Sequence, residues 1–557
     1  MAARRIVMPR PEHERILQDT DRSSGRDALR NNVTAAVALA DAIRSTLGPA
    51  GLDKMLVAAD GKVEVTNDGV TVLEAAKVEH PTAKMLISTS SAQDDVACDG
   101  TTSAILLMAE MLVNGLEYID RGVHPVLIQN GYRKAAEWAT KTLDEISRDA
   151  TEREVQRSVV MTSLAGKTNE TVRVLLSDLA VEAAHAVAQF GVDSGVDSID
   201  LVDSTNNQIR ADPSHIKRIG ARGGNASDTR LVNGLMLAKR RLDQRTSASS
   251  SRGKIMLLDG GIAPRSPNIQ AQIKVSEAGA LAKFIEREKA EMQNRIEAIA
   301  SIGCDLLIVR DGIDDEAVSM LREAGIVTYR RVERDELDLL ARATGATLIR
   351  DPLRVRASDL GDFESRNEKK IDDIEHVTII GSKIAGQTLL VRGSTETLIA
   401  EVQRGFDDAI GVACGLIEEP RIVPGGGATW IALARALRRR APEADGREQL
   451  AVEGYAAALE VIPRVLAENA GLNPLEMLLA TSAEQATNDD AWLGLDLANI
   501  GTTEMAEAGI IEPIRIARQA IAGATEAAIS VLRIDDVLWA KQDPQTPDWQ
   551  SDVESDD

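Results

Sequence analysis

Hydrophobic residues near the start of the chain recur at the spacing of a helix. One face of residues 32–47 carries Val33, Val37, Ala40, Ile43 and Leu47. This spacing predicts an amphipathic helix, and the glycine and proline that follow it predict its end in a loop. Strand-like residues 62–66 and long alanine-rich stretches come next. The opening block is therefore predicted to be mainly helical.

The pattern changes from about residue 253 onward. Short apolar runs occupy residues 255–258, 306–309 and 326–329, with glycines and helical stretches between them. This alternation predicts an α/β block. A further strand is predicted at 388–391, after which alanine-rich helices return over about residues 404–520. Helical blocks thus flank an α/β middle, and composition leaves open whether the two ends share one domain.

One helix of the middle block combines an apolar face with a strongly charged one. Its apolar face carries Leu281, Ile285, Met292, Ile296 and Ile299. Its other face carries Glu286, Arg287, Glu288 and Lys289. The pattern alone favours a solvated surface helix.

Composition narrows the class of protein. The chain has 557 residues, of which 44% are hydrophobic and 27% charged, and a formal net charge of -23. This length predicts several domains, and the negative charge disfavours nucleic acid as a partner because it repels phosphate. Cys98, Cys304 and Cys414 lack the spacing of a disulfide framework or a zinc site. No run reaches the roughly 18 apolar residues of a membrane span, so a cytoplasmic protein without membrane contact is expected.

Gly166-Lys167-Thr168 looks like the end of a Walker A loop. That motif needs a glycine at the position of Met161, so the P-loop interpretation fails. The sequence also contains no HExxH or GxSxG motif. Metalloprotease and serine-hydrolase functions therefore have little support.

Residues 93–103 (QDDVACDGTTS) lead into an apolar helix and have the composition of a phosphate site. Asp99 and Gly100 predict a tight turn. Thr101, Thr102 and Ser103 then offer hydroxyls and backbone N–H groups at a helix N-terminus, where an anion is favoured. A bare carboxylate would repel phosphate, so Asp99 is interpreted as a Mg²⁺ ligand, with phosphate oxygens completing the shell. Taken alone, the segment is better explained as an N-capped helix after a turn.

Three further turns offer similar chemistry. They lie at residues 46–51, 66–70 and 423–427. The last contains three consecutive glycines, Gly425 to Gly427, which let a flat or charged ligand approach the backbone closely. A flexible linker is the alternative explanation.

These segments occur together, and with others they extend over nearly the whole chain. They are TLGPAGLDKMLV (46–57), VTNDGVTVL (65–73), QDDVACDGTTSAILL (93–107), VVMTSLAGKTNE (159–170), VRGSTETLIAEVQRGFDDA (391–409), IVPGGGA (422–428) and AGIIEPIRIARQAIAGATEAAISVLRIDDVL (508–538). In this order and at these separations they resemble the group II chaperonins, that is, the thermosome family and its eukaryotic ring-complex relatives.

The resemblance implies a multidomain α+β chaperonin fold. Residues 1–150 and 405–538 would form a mainly helical equatorial ATP-binding domain. Residues 151–219 and 372–404 would form a small α/β intermediate hinge domain. Residues 220–371 would form an α/β apical domain that binds client proteins, and the amphipathic helix described above would be its helical protrusion, a built-in lid. Residues 539–557 are expected to be an acidic, disordered tail.

The resemblance also implies an ATPase that helps other proteins to fold. ATP would be the cofactor with Mg²⁺, and K⁺ is a further candidate cation. Binding and hydrolysis of ATP would open and close a chamber around unfolded or partly folded client proteins. The other partners would be identical or paralogous subunits in a stacked double ring, without nucleic acid or membrane.

Site residues follow from the matching motif positions. The expected nucleotide-binding residues are Leu47, Gly48, Pro49, Asn67, Gly69, Gly100, Thr101, Thr102, Ser103, Lys167, Gly425, Gly426 and Glu512. Asp99 would bind Mg²⁺, and Lys167 would sense the γ-phosphate. Asp408, the first choice, and Asp68 would orient and activate the attacking water, because a carboxylate can accept its proton. Asp407 stands where relatives usually have glutamate and is expected to be a surface charge.

Cys98 departs from the family pattern, which usually has glycine before the magnesium aspartate. If this position needs a positive φ, cysteine costs about 1–2 kcal/mol and would shift Asp99 and slow hydrolysis. One alternative function is therefore a structural subunit that joins a hetero-oligomeric ring but hydrolyses ATP weakly. Another is a small-molecule kinase or ATPase, which the α/β middle would suit and a monomeric or dimeric state would favour.

Overall fold

The chain folds into two compact units. The structure, a computed structural model, describes residues 20–57, 61, 63–75, 78–193, 211–262, 280–383 and 386–540. One unit consists of residues 1–149 and 421–557, and the other of residues 150–420. The two ends of the chain therefore belong to the same unit.

The first unit is built mainly from helices. Among the described residues they are Arg26–Arg44, Gly69–Ala75, Pro81–Ala97, Thr101–Asp120, Pro125–Ile146, Ala428–Arg440, Glu448–Leu459, Val461–Asn469, Pro474–Asn488 and Ile514–Leu532. In the first of them Val33, Ala40 and Ile43 are buried in the core. The helix ends at Arg44, so the predicted apolar face is confirmed as far as Ile43, whereas Leu47 lies in the loop that follows.

The helix Thr101–Asp120 lies at the centre of this unit. Its residues 104–109 are buried, because the helices Arg26–Arg44, Pro81–Ala97 and Ile514–Leu532 pack around it. Of the described helices, it is the one that is long and apolar enough to cross a membrane by length and composition. Its place in the core accounts for that composition, since a helix that is apolar on all sides is typical of a core element.

Short strands complete the first unit. Three antiparallel strand pairs are formed by β1 (Thr20–Ser24) with β19 (Asp536–Ala540), β2 (Lys54–Val57) with β3 (Val63–Thr66), and β16 (Leu493–Asp496) with β17 (Gly501–Glu504). The strand β15 (Arg421–Pro424) lies between β4 (Arg148–Asp149) and β18 (Ile511–Pro513). Because β19 extends to Ala540, it includes the first two residues of the predicted tail. The rest of that tail lies outside the described residues.

The second unit combines helices with two sheets. Its described helices are Arg153–Ser163, Glu170–Asp193, Ala280–Ser301, Asp315–Glu323, Arg334–Thr344 and Glu396–Glu418. Its strands are β5 (Ile216–Arg222), β6 (Arg230–Asn233), β7 (Leu235–Leu237), β8 (Ser249–Leu258), β9 (Leu306–Val309), β10 (Val327–Tyr329), β11 (Leu348–Ile349), β12 (Gly361–Ile371), β13 (Ile374–Gly381) and β14 (Gln387–Gly393). The larger sheet has the order β10-β9-β8-β12-β13-β7, with β11 paired to β8, and the smaller has the order β5-β14-β6.

Burial on both faces explains the apolar runs of the middle block. In β8, Ile255 and Leu257 pack on one side of the sheet in a cluster with Tyr329. Met256 and Leu258 pack on the other side. The strands β8, β9, β10 and β11 run parallel, and parallel strands covered on both faces have continuous rather than alternating apolar residues. The predicted α/β block and the multidomain α+β fold class are confirmed.

The amphipathic helix Ala280–Ser301 covers one side of this sheet. Met292, Ile296 and Ile299 are buried, whereas Glu286, Arg287 and Lys289 are exposed. The side chains of Leu281, Ile285 and Glu288 lie outside the described residues, as do residues 263–279. The helix therefore has the predicted two faces where it is described, and its role as a lid stays a prediction.

Two of the predicted domain boundaries fall inside secondary-structure elements, and a third falls in a tight turn between paired strands. The boundary at 219/220 lies within β5, and that at 371/372 lies in the tight turn between β12 and β13, whose residues Ile371 and Ile374 are directly paired. The boundary at 404/405 lies within the helix Glu396–Glu418, and this whole helix belongs to the second unit. The division of the chain into three domains stays a prediction.

Candidate functional site

Asp99 sits in a left-handed turn between two helices of the first unit. The helix Pro81–Ala97 ends at Cys98, which has φ 53° and ψ 16°, and Gly100 has φ 80°. Cys98 N donates to Asp94 O over 2.8 Å, and Ala104 N donates to Gly100 O over 3.0 Å. The φ of Cys98 is positive, which is the conformation in which a cysteine at this position was predicted to cost stability. The next helix begins at Thr101 with a glycine as its N-cap, which has no side chain to cap it.

A row of hydroxyl groups begins that helix. Thr101, Thr102 and Ser103 are buried. Thr102 Oγ1 lies 3.4 Å from Thr46 Oγ1 of the loop at 46–51. A Cβ atom on Gly69 would stand only 2.8 Å from Thr102 Oγ1. Three motifs that are separate in the sequence therefore meet at one helix N-terminus.

The loop at 46–51 is closed on itself. Gly51 N donates to Gly48 O over 2.9 Å, and Leu52 N donates to Ser45 O over 2.8 Å. Gly48 has φ 85°, a left-handed conformation that glycine adopts readily. Leu47 is half-buried and Pro49 is exposed. The loop is thus held rigidly with its tip toward solvent.

Asp68 caps a short helix. Its Oδ2 accepts hydrogen bonds from Thr71 N over 2.8 Å and Thr71 Oγ1 over 2.7 Å, and its Oδ1 accepts one from Val70 N over 3.4 Å. These bonds fix the first turn of the helix Gly69–Ala75. Asn67, just before it, is half-buried. Both carboxylate oxygens of Asp68 are therefore already engaged by the helix that follows.

The glycines at 425–427 form a packed turn, so the flexible-linker explanation is wrong. Gly425 N donates to Ile510 O over 2.9 Å, and Leu495 N donates to Gly426 O over 3.0 Å. Gly426 has φ 56°, and a Cβ there would stand 2.5 Å from Met505 Sδ. The turn leads directly into the helix Ala428–Arg440, and the positive φ at its middle position favours glycine.

Glu512 lies beside this turn, and the negative charge of Asp99 acts on its carboxyl group. It pairs with Val423 in the β15–β18 register, and its Oε1 lies 3.3 Å from where a Cβ of Gly425 would stand. Burial, and next the negative charge of Asp99, raise the pKa of Glu512 from its ordinary 4.5 to about 7. A cation near Asp99 would offset this negative charge and favour the ionised form of Glu512.

The donor set fits a phosphate ligand that carries a metal ion. Among the described residues, no three His, Cys, Asp or Glu side chains are grouped so that they could hold a metal by themselves. Asp99 can supply one carboxylate ligand, and Mg²⁺ commonly takes its remaining ligands from phosphate oxygens and water. The buried hydroxyls and the helix N-terminus beside Asp99 suit the phosphate.

Two polar residues that sequence reasoning missed hold these loops in place. Asn469 Nδ2 donates to Leu47 O over 2.8 Å and to Arg44 O over 3.1 Å. Gln93 Nε2 donates to Asp99 O over 2.8 Å and to Ile516 O over 3.3 Å. The sequence offers one signal for such residues, which is a polar residue on the buried side of a helix. That signal does not identify the hydrogen-bond partner.

Lys167 and Asp408 belong to the second unit, where they form an ion pair. Lys167 Nζ lies 2.8 Å from Asp408 Oδ2. Lys167 follows the helix Arg153–Ser163 in a turn where Gly166 has φ 83°. The neighbouring Asp407 is exposed, as expected, and pairs with Arg218 Nε over 2.6 Å.

Comparison with known proteins gives a consistent result. Residues 39–542 match the model of the TCP-1/cpn60 chaperonin family. The chain is 39% identical to thermosome subunit beta of Archaeoglobus fulgidus, over 94% of each chain. It is 37% identical to thermosome subunit alpha of Thermoplasma acidophilum, over 95% of this chain and 94% of that one. It is 38% identical to a thermosome subunit of Methanopyrus kandleri, over 93% of each.

Proposed function

Because the chain belongs to the TCP-1/cpn60 chaperonin family, in which it is a subunit of the group II type, we propose that it hydrolyses ATP to drive the folding of enclosed client proteins. The observation that carries the ATPase is the convergence of three loops on the helix N-terminus at Thr101. Asp99 and the buried hydroxyls of Thr102 and Ser103 lie within this convergence.

Each part of the site has a proposed task. Bound Mg²⁺-ATP would supply the phosphoanhydride bond and the cation that neutralises phosphate charge. Asp99 is the metal ligand, and the N–H and hydroxyl groups of residues 100–103 hold phosphate oxygens. The remaining nucleotide-binding residues are Leu47, Gly48, Pro49, Asn67, Gly69, Lys167, Gly425, Gly426 and Glu512, and K⁺ is a further candidate cation.

Asp408 is the proposed acceptor of the proton from the attacking water. Asp68 caps the helix Gly69–Ala75 through hydrogen bonds from Thr71 and Val70, and its proposed task is to help orient the attacking water. Asp408 performs the general-base step.

Assembly with other subunits is supported by an exposed apolar hairpin. In the segment that forms β2 and β3, Leu52, Met55 and Val57 are 67%, 69% and 67% exposed. Apolar side chains grouped on a small hairpin in this way are typical of a surface that another chain covers. We propose that identical or paralogous subunits cover it in a stacked double ring. Location in the cytoplasm stays a prediction.

The first test is Mg²⁺-dependent ATP hydrolysis by the purified assembly, with wild type and Asp408→Ala compared at equal particle size. Loss of turnover in the variant, with assembly intact, is the expected result. A monomer or dimer that turns over ATP would contradict the chaperonin proposal and favour a small-molecule kinase or ATPase.

A second candidate function is a ring subunit that hydrolyses ATP weakly. The left-handed Cys98 beside Asp99 favours it, because a side chain at this φ is strained. Ring formation without measurable wild-type turnover would select this function.

A further inference from the structure

The turn formed by Cys98, Asp99 and Gly100, which we call the Asp99 turn, is held from outside by Gln93. Gln93 lies on the helix Pro81–Ala97 and is 1% exposed. Its Nε2 donates to Asp99 O over 2.8 Å and to Ile516 O over 3.3 Å. One buried amide therefore joins three segments: its own helix, the Asp99 turn and the helix Ile514–Leu532.

The chemistry of this contact requires an N–H donor. Both partners of Gln93 are carbonyl oxygens, which can only accept hydrogen bonds. Its Oε1 has no hydrogen-bond partner in the described part of the chain. The polar contribution of Gln93 therefore comes from Nε2, and an ionised carboxylate or a thioether at position 93 could not replace it.

Gly100 of the turn packs closely against Gln93 and Ile516. A Cβ on Gly100 would stand 3.1 Å from Gln93 Nε2 and 2.6 Å from Ile516 Cγ2. Ile516 lies in the first turn of the helix Ile514–Leu532, which directly follows β18, the strand that carries Glu512. The amide of Gln93 thus connects the backbone of Asp99 to the segment of Glu512, the other carboxyl group of the site.

The hydrogen bond from Gln93 to Asp99 O matters because the residue before Asp99 is a cysteine rather than a glycine. A residue other than glycine is disfavoured at φ 53° and persists there when its surroundings impose the conformation. Glycine at this position would need no such support, because it adopts a positive φ readily. In this chain, the hydrogen bond from Gln93 to Asp99 O supplies part of it.

We propose that Gln93 is a positioning residue that holds the Asp99 turn in its left-handed conformation and thereby fixes the direction of the Asp99 carboxylate, on which binding of Mg²⁺-nucleotide depends. This inference rests on the proposed ATPase function. It predicts that the need for Gln93 is greater with cysteine at position 98 than with glycine.

The test compares four variants as intact assembled particles. They are Gln93→Met, Cys98→Gly, the double variant, and Ser90→Ala as the matched control. Ser90 is fully buried on the same helix, and its Oγ has no hydrogen-bond partner among the described residues. The readouts are the Mg²⁺ concentration that half-saturates binding of a fluorescent ATP analogue, and kcat and KM for ATP.

Gln93→Met is expected to raise the half-saturating Mg²⁺ concentration about tenfold, as the loss of a buried hydrogen bond would. Ser90→Ala should match wild type. In the double variant, most of the loss should be recovered, which a general packing defect at position 93 would not allow.

Two results would overturn the inference while leaving the ATPase proposal intact. One is a Gln93→Met particle that binds Mg²⁺-nucleotide like wild type, and the other is an equal loss with and without Cys98→Gly. A wild-type particle that binds no Mg²⁺-nucleotide would overturn both proposals. If the Gln93→Met variant does not assemble, Gln93→Glu is used in its place. Assembly of Gln93→Glu that is restored by Cys98→Gly supports the inference. Failure to assemble with either cysteine or glycine at position 98 contradicts it.

Discussion

Lys167 donates a hydrogen bond from Nζ to Oδ2 of Asp408 over 2.8 Å, although the two residues are 241 positions apart in the sequence. Both side chains are partly exposed, at 22% and 28%. The proposed sensor of the γ-phosphate and the proposed proton acceptor are therefore direct partners within the second unit. A ligand that attracts Lys167 would change the hydrogen bonding of Asp408 at the same time.

Asp408→Asn is expected to lower kcat about 100-fold or more and to leave the KM for ATP within a few-fold of wild type. The amide keeps the shape of the side chain and can still accept a hydrogen bond, but it cannot take up a proton from water. Steady-state ATP hydrolysis by the assembled particle measures both constants.

The neighbouring Asp407→Asn is the matched control. Asp407 is on the same helix turn but pairs with Arg218, so its loss should leave kcat within about twofold, since a partly exposed ion pair contributes little. Equal losses of kcat in the two variants would contradict the assignment of Asp408.

Cys98→Gly is expected to stabilise the protein by about 1 kcal/mol. Removal of the side chain relieves a left-handed conformation, and part of the gain is offset by the greater freedom of glycine in the unfolded chain. The variant should also hydrolyse ATP faster, because the Asp99 turn is no longer strained. Thermal unfolding midpoints at equal protein concentration and kcat check the two effects.

Asp489→Gly is the control for Cys98→Gly, because it replaces another residue that has a left-handed conformation. Asp489 ends the helix Pro474–Asn488 at φ 49°, close to the value of Cys98. Asp489→Gly should raise the unfolding midpoint less than Cys98→Gly does, because aspartate tolerates the left-handed conformation better than cysteine. It should not change kcat. An unchanged midpoint in Cys98→Gly would show that the turn holds cysteine without strain.

The fold was predictable where burial leaves a clear pattern in the sequence. The β8 run 255–258 is apolar on both faces, so its position could be predicted within the chain. The long hairpin of β12 and β13 was not predicted, because residues such as Arg366 and Glu368 interrupt any alternation. Arg366 is 1% exposed and donates to Tyr329 Oη over 2.9 Å, a partner that only the folded chain supplies.

The candidate site was predictable at the level of its loops. Asp99, Thr102 and Gly69 lie close together in the first unit, as their shared chemistry suggested, although their roles stay predictions. The supports of these loops could not be predicted. Gln93 and Asn469 act through backbone carbonyls of residues distant in sequence, and a carbonyl acceptor leaves no mark in the amino-acid pattern.

The pKa of Glu512 predicts how stability changes with pH. The folded protein raises it from 4.5 to about 7, through burial and the charge of Asp99. Between these values the folded chain keeps a proton that the unfolded chain releases, so this group stabilises the fold less as pH rises. This loss of unfolding free energy is complete above pH 7 and amounts to roughly 3 kcal/mol.

Glu512→Gln should remove this contribution. In protein without nucleotide or Mg²⁺, we expect the variant to be more stable than wild type at pH 8 and similar to it near pH 5. Denaturant unfolding at both pH values provides the comparison, and the difference between the two proteins cancels the titration of other groups. A difference that does not depend on pH would contradict the raised pKa.

Gly426→Ala tests whether the packed glycine turn is needed for nucleotide binding. A methyl group at this position would stand 2.5 Å from Met505 Sδ, at φ 56°, so either the turn or the Met505 side chain must shift. We expect a loss of about 2–4 kcal/mol of stability, from backbone strain together with overpacking, and weaker binding of a fluorescent ATP analogue.

Gly446→Ala separates the two causes, because Gly446 has nearly the same φ, 54°, and nothing within 4 Å of an added Cβ. Its loss should be limited to about 1 kcal/mol of backbone strain, with nucleotide binding unchanged. If both alanine variants lose the same stability and bind the analogue alike, then Met505 yields to the new methyl group, and close packing of the turn at Gly426 does not control the nucleotide site.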